Sequence, residues 1–138
     1  MRNKNLWIIL IAIVIIVAAV YLYVTYGTSL TSPASLSGKN FTLVSYNGSA
    51  VEGNYTLSFE EGSAHARFCN TMNGPYTLSN GTISGTLAST LMYCSSPENI
   101  MEIESAFGSL LGSGASLTMS GNSLTLSGNG ITLVFEQN

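Results

Sequence analysis

Two cysteines and one histidine carry the most reactive side chains of this 138-residue chain. Cys69 and Cys94 stand 25 positions apart, and His65 lies four residues before Cys69. Three chemistries are open to such a set. In an oxidising compartment, two cysteines of one small domain pair and close a loop. Kept reduced, they pack as small buried hydrophobes. Together with His65 they would offer three soft ligands, suited to zinc or copper(I). The even offset between His65 and Cys69 would put both on one face of an unbroken strand. Redox chemistry has less behind it, because there is no Cys-x-x-Cys spacing and no basic residue beside Cys94 to lower its pKa. The expectation is a structural disulfide, with no metal and no cofactor.

A catalytic constellation is harder to assemble. Serines are abundant, but none stands in a Gly-x-Ser-x-Gly elbow, and Gly112-Ser113-Gly114 reads as a flexible helix exit. Glu60 and Glu61 are adjacent and so face opposite sides of a strand, while Glu98, Glu102 and Glu104 read as the solvated face of a helix. No catalytic residue is assigned, and the chain is not expected to be an enzyme. Asn70, Asn73 and Tyr76 would present polar groups from a turn to a ligand. The structural reading explains the same residues: Asn side chains bond turn backbone, Gly74 supplies an unusual φ, and Tyr76 packs its ring.

The elements that position these residues begin with a helix of another kind. Leu6 to Tyr26, LWIILIAIVIIVAAVYLYVTY, contains no charge. At 1.5 Å per residue it matches the roughly 30 Å hydrocarbon core of a bilayer. Arg2 and Lys4 precede it, so the positive-inside rule keeps the N-terminus in the cytoplasm and sends the rest across. Trp7 at one end and Tyr21, Tyr23 and Tyr26 at the other read as interfacial aromatics. A cleaved signal peptide has a shorter apolar region and a small-residue exit, and Val17-Ala18-Ala19 is followed by more apolar residues instead. The expected organisation is a cytoplasmic tip and anchor over 1–26, a flexible Ser/Thr/Gly linker over 27–37 and an extracytoplasmic domain over 38–138.

Beyond the anchor, Lys39 and Arg67 stand against seven glutamates, a formal charge of −5. Such a surface is repelled by phosphate backbones, which excludes nucleic acid as a partner. Asp is absent from the chain, so the commonest ligand of calcium loops is missing. The sequons at Asn40, Asn47, Asn54 and Asn80 fit an exported chain only weakly, since a sequence rich in Asn, Ser and Thr makes them by chance.

Turn signals punctuate the domain at Asn47-Gly48, Glu61-Gly62, Asn73-Gly74, Asn80-Gly81, Gly121-Asn122 and Asn129-Gly130. Between them the spans 41–46, 54–59, 65–70, 82–87, 116–120, 123–127 and 131–136 read as strands, the last three as a meander. Residues 95–112, SSPENIMEIESAFGSLLG, break that pattern. Ser95 or Ser96 is the expected cap, Pro97 suits the first turn, and Ile100, Ile103, Phe107, Leu110 and Leu111 share one stripe. The fold class is α+β and mostly β: a curved antiparallel sheet or partly open β-barrel, with this helix across its open side.

Residues 55–94 carry a distinctive order of motifs: Cys69-Asn70, then Gly74-Pro75-Tyr76, then Thr90-Leu91-Met92-Tyr93-Cys94. With the helix and the paired strands that follow, this resembles the META domain, the HslJ-like family, over residues 38–136. The resemblance implies a small barrel-like sheet with one packed helix outside the cytoplasmic membrane, and links to stress and drug tolerance, secretion and motility. It brings no catalytic residues. Its motif positions are Cys69, Asn70, Gly74, Tyr76, Thr90, Met92 and Cys94, read as structural. Phe41 stands where the family often has Trp, and the N-terminal helix replaces the lipid anchor of many exported members. The expected role is a membrane-tethered, non-catalytic binding module for an envelope protein. Two alternatives stand beside it: a carrier of a small apolar ligand held by Phe59, Phe68, Met92, Ile103 and Phe107, and a metal or redox site at Cys69, Cys94 and His65.

Overall fold

Strict alternation of apolar and small polar residues gives one buried and one wetted face, and hairpin turns then fold each strand back on the last. The computed structural model describes residues 2–26 and 36–138, with side chains described over 6–22 and 36–138. It divides into an N-terminal helical unit and a β-rich unit.

The first unit is α1 (Arg2–Tyr26), 25 residues of uninterrupted helix. Its apolar side chains from Leu6 to Leu22 are exposed, Trp7 and Tyr21 among them. Among the described residues no helix is long and apolar enough to cross a membrane; residues 6–22 by themselves extend about 25 Å. The side chains of Tyr23 and Tyr26, and most of the expected linker, lie outside the described residues.

In the second unit the strands are β1 (Asn40–Tyr46), β2 (Ser49–Ala50), β3 (Thr56–Glu60), β4 (Ser63–Arg67), β5 (Thr71–Ser79), β6 (Thr82–Gly85), β7 (Ala88–Ser89), β8 (Ala115–Ser120), β9 (Ser123–Gly128) and β10 (Ile131–Gln137), with α2 (Ile100–Ser113) before β8. All pairings are antiparallel, in the order β10-β9-β8-β6-β5-β4-β3-β1. The ring then closes, because β1 pairs with β10 through Phe41↔Gln137, Thr42↔Glu136 and Leu43↔Phe135. This corrects the partly open sheet: it is a closed eight-stranded barrel, a shape that leaves no unpaired barrel edge. The expected β8-β9-β10 meander is present. The shortest seam is β6–β8, two residue pairs long, and α2 packs beside it against β6, β9 and β10.

Five of the six turn signals are turns. Asn47-Gly48, Asn80-Gly81 and Asn129-Gly130 have positive φ at both residues, as type I′ hairpins need. Asn73-Gly74 is the exception and lies inside β5. Gly74 has no positive φ; a Cβ there would meet the Thr86 carbonyl oxygen at 2.5 Å, and one on Gly85 would meet that of Pro75 at 2.5 Å. The glycines let two strands approach, and no turn is involved. Gly74→Ala is therefore expected to cost about 1–3 kcal/mol, whereas Gly112→Ala, in open space on α2, gains up to about 1 kcal/mol. Chemical denaturation of the two variants checks the contrast.

Two helix boundaries also differ from expectation. The Ile100 amide bonds the Pro97 carbonyl, so Pro97 opens a tight turn and α2 starts three residues later, after Asn99, which makes no side-chain cap. Gly112 remains helical, and Gly114 at φ +90 ends the helix. Leu36, near the end of the expected linker, is fully buried in the core cluster, whose largest buried side chains are Phe41, Phe59, Phe107 and Phe135.

Candidate functional site

The family-type motifs converge where β4 leaves the barrel and β5 enters it. β4 ends at Arg67, and Phe68 to Asn70 form a tight reversal in which the Phe68 amide donates to the Asn70 carbonyl at 3.0 Å. That reversal breaks the strand before Cys69, so the shared face inferred for His65 and Cys69 does not exist. It also turns the Asn70 side chain inward, where only 3% of the residue is exposed.

Every polar atom of that side chain has partners. Nδ2 donates to Glu104 Oε1 at 2.7 Å and to the Met92 carbonyl at 3.1 Å. Oδ1 accepts from the Met92 amide at 2.6 Å and from Thr90 Oγ1 at 2.9 Å. The Asn70 amide donates to Glu104 Oε2 at 2.6 Å, so the carboxylate grips both ends of one residue. Thr90 Oγ1 in turn accepts from the Thr71 amide at 3.1 Å. Burying an amide and a carboxylate is tolerable only when the set is complete, as it is here.

Glu104, expected on the solvated face of the helix, is only 8% exposed. The correction was available in the spacing. Ile100, Glu104, Phe107 and Leu111 recur at i, i+4, i+7 and i+11, so Glu104 sits within the apolar stripe. Glu102 is exposed as expected and accepts from the Tyr46 hydroxyl at 2.9 Å.

Cys69 and Cys94 form a disulfide, with Cα atoms 5.9 Å apart. It ties the far end of the Thr90–Cys94 segment to the residue beside Asn70. His65 points elsewhere: Nε2 lies 3.8 Å from Glu60 Oε2 on the outer surface of β4. The three-ligand metal site is thereby overturned, because both sulfurs are bonded to each other. Among the described residues no group of His, Cys, Asp or Glu is placed to hold a metal ion.

Of the residues proposed to hold an apolar ligand, Phe59, Phe68, Ile103 and Phe107 belong to the core. Their rings pack edge-on or tilted: Phe59 against Tyr76 and Phe68 against Phe107, each at 5.1 Å, and Phe107 against Phe135 at 6.4 Å. Met92 lies outside, 57% exposed, between Leu91 at 99% and Tyr93 at 84%. Three large apolar side chains thus project into solvent from a segment held at both ends.

A closed eight-stranded barrel, one helix laid on its seam, and a Cys-Asn reversal locked to a Thr-x-Met-x-Cys segment form a specific combination. The model of the META domain matches residues 34–138. The chain belongs to the META domain family. Among solved structures, a protein determined by NMR is 31% identical with a TM-score of 0.71, covering 77% of this chain and 94% of its own. An NMR structure from Burkholderia xenovorans is 25% identical with a TM-score of 0.60, over 77% and 86% of the two chains. The fold is also similar to that of a lipocalin-like protein from Bacteroides uniformis, 24% identical, TM-score 0.51, over 73% and 96%. No curated protein matches the chain. In this META domain the motif residues Cys69, Asn70, Thr90, Met92 and Cys94 form one bonded cluster. Gly74 and Tyr76 belong to the neighbouring strand, the first for close approach and the second for core packing.

Three tyrosines tie this packing to pH. The Tyr46 hydroxyl is held protonated first by its hydrogen bond to Glu102, then by burial and by the Glu102 charge, so its pKa rises above 10.0. Burial raises Tyr55 and Tyr76 in the same direction. A group with a raised folded-state pKa contributes stability that is complete below its unfolded value and lost as pH climbs through the folded one. The thermal midpoint is expected to hold up to about pH 10 and to fall beyond it. In a Tyr46→Phe, Tyr76→Phe double variant the same titration should show a shallower fall.

Proposed function

We propose that this chain is a non-catalytic binding module, tethered to a membrane by α1, whose META domain works outside the cytoplasm on an envelope protein. The observation that carries the reading is the division of labour within the motif. Asn70, Thr90, Glu104 and the disulfide spend their polar and reactive groups on one another, and what they hold up is the exposed Leu91-Met92-Tyr93 triad. Contiguous large apolar side chains in water are a recurrent mark of interaction sites. The tether rests on the uncharged run from Leu6 to Tyr26 after Arg2 and Lys4. A link to stress tolerance follows from the family resemblance alone.

The test uses the full chain in cells, with a photo-crosslinking residue in place of Tyr93. A discrete crosslinked protein, lost when Leu91 and Met92 are both changed to serine while the thermal midpoint stays within about 2 °C, is the expected result. No crosslinked species, or one unaffected by the two serines, would contradict the reading. Phosphatase fused at the C-terminus should be active, as only an exported reporter is.

A further inference from the structure

The backbone of the same segment has a regular polarity. β6 and β7 continue one register against β5: Ser79↔Thr82 and Tyr76↔Gly85, then Asn73↔Ala88 and Met72↔Ser89. The Thr90 amide extends it by donating to the Thr71 carbonyl at 3.2 Å. At the next inward position, residue 92, no strand backbone remains. The Asn70 side chain stands in for one, accepting from the Met92 amide and donating to the Met92 carbonyl. Ala88, the Thr90 amide and both backbone groups of Met92 therefore face inward, while the Thr90 carbonyl accepts from Ser89 Oγ at 3.0 Å. β7 itself ends at Ser89, and strand alternation carried past it would turn the backbone groups of Leu91 and Tyr93 outward. Among the described residues, the amides and carbonyls of Leu91 and Tyr93 have no partner. β8 pairs with β6 only at Thr82 and Ile83, so nothing in the sheet flanks this part of the arm.

Proteins blunt exposed edges with lysine, proline or bulges. Thr86 to Tyr93, TLASTLMY, carries none of these residues and no charge. We infer that the outer edge of residues 88–93 is a strand-addition site, taking an extended uncharged segment of a partner protein flanked by lysine or arginine. Strand addition supplies affinity through main-chain hydrogen bonds and specificity through alternate side chains, here Leu91 and Tyr93. The basic flanks follow from charge. The segment runs into Glu98 and belongs to a domain of formal charge −5, while Arg67, the basic residue of the same ladder, lies across β5 on β4. A second copy would bring a like charge to the same edge. The inference rests on the binding-module reading and specifies how that module binds.

The test is amide NMR of the full chain in phosphatidylcholine nanodiscs. The probe is an eight-residue synthetic peptide of alternating valine and threonine between terminal lysines. Binding is expected to shift the Leu91 and Tyr93 amides and slow their exchange at least tenfold. A peptide ending in glutamates should bind at least tenfold more weakly. Leu91→Pro removes one outward N–H and leaves the inward bonds of Thr90 and Met92; it should abolish binding, whereas Leu91→Ala weakens it only several-fold. Should Leu91→Pro fail to fold, Tyr93→Pro removes the next outward donor. Binding that survives both prolines, shifts centred away from residues 88–93, shielding of the triad by nanodisc lipid alone, or protection that grows with protein concentration would each overturn strand addition. A cellular crosslink from position 93 that persists in Leu91→Pro would leave the binding module standing and remove only the edge. Absence of that crosslink in the otherwise unaltered chain would remove the module itself.

Discussion

Asn70→Ala is expected to lower the stability of the META domain by about 3–5 kcal/mol. The substitution deletes four side-chain hydrogen bonds at once and strips Glu104 Oε1 of its donor while the carboxylate stays buried. Against a typical total of about 5–15 kcal/mol, this leaves the domain marginal. Asn70→Asp should be worse at neutral pH, because it sets a second carboxylate against Glu104 where a donor stood 2.7 Å away. Two carboxylates at that range cannot both ionise cheaply, so one folded-state pKa rises. A raised carboxyl pKa means the folded chain binds more protons than the unfolded one, so stability falls as pH rises through that window. Asn70→Asp should accordingly regain much of its loss near pH 4, and Asn70→Ala, which adds no second carboxylate beside Glu104, a smaller part. Urea denaturation at pH 4 and pH 7 reads both effects; two variants within 1 kcal/mol of the parent would remove Asn70 from the centre of the account.

The second large effect belongs to the disulfide. Closing 25 residues restricts the unfolded chain by about 3.5 kcal/mol in the chain-entropy model. For a domain of this size that is on the order of 15 °C in Tm. Cys69→Ser and Cys94→Ser should each lose about that much, and the double variant little more, since either change opens the same bond. Reduction of the parent chain should reproduce the double variant. Combined with Asn70→Ala, the cysteine changes should fall short of additivity, because both devices restrain the Thr90–Cys94 segment and residues in one network couple. Midpoints unchanged on reduction would mean that the bond contributes nothing to the fold.

Much of this was legible in the chain. The Asn-Gly pairs marked hairpins because two successive positive φ values leave few other residues eligible, and the Leu117–Phe135 alternation named the faces of the C-terminal meander. Closure of the barrel was not legible. It depends on β1 meeting β10 across almost the whole domain, and no local pattern encodes that pairing. Asn73-Gly74 misled because a glycine permits two things, a turn and a close approach, and only the facing Thr86 carbonyl distinguishes them. Glu104 was misread by residue type although its spacing was correct for burial, and Asn70 has no pattern at all. A buried asparagine is defined by what surrounds it, and its partners lie 20 to 34 residues away in the chain.

The motif acts as a clamp that fixes an apolar segment from within while leaving its outer edge free. Residue-resolved hydrogen exchange of the full chain in nanodiscs tests it directly. The amides of Asn70 and Met92, bonded to Glu104 and to the Asn70 side chain, should exchange only through openings close to global unfolding. Those of Leu91 and Tyr93, one residue to either side of Met92, should exchange several orders of magnitude faster. Equal, rapid exchange across residues 90–94 would mean that no clamp holds the segment, and the account built on it would fall.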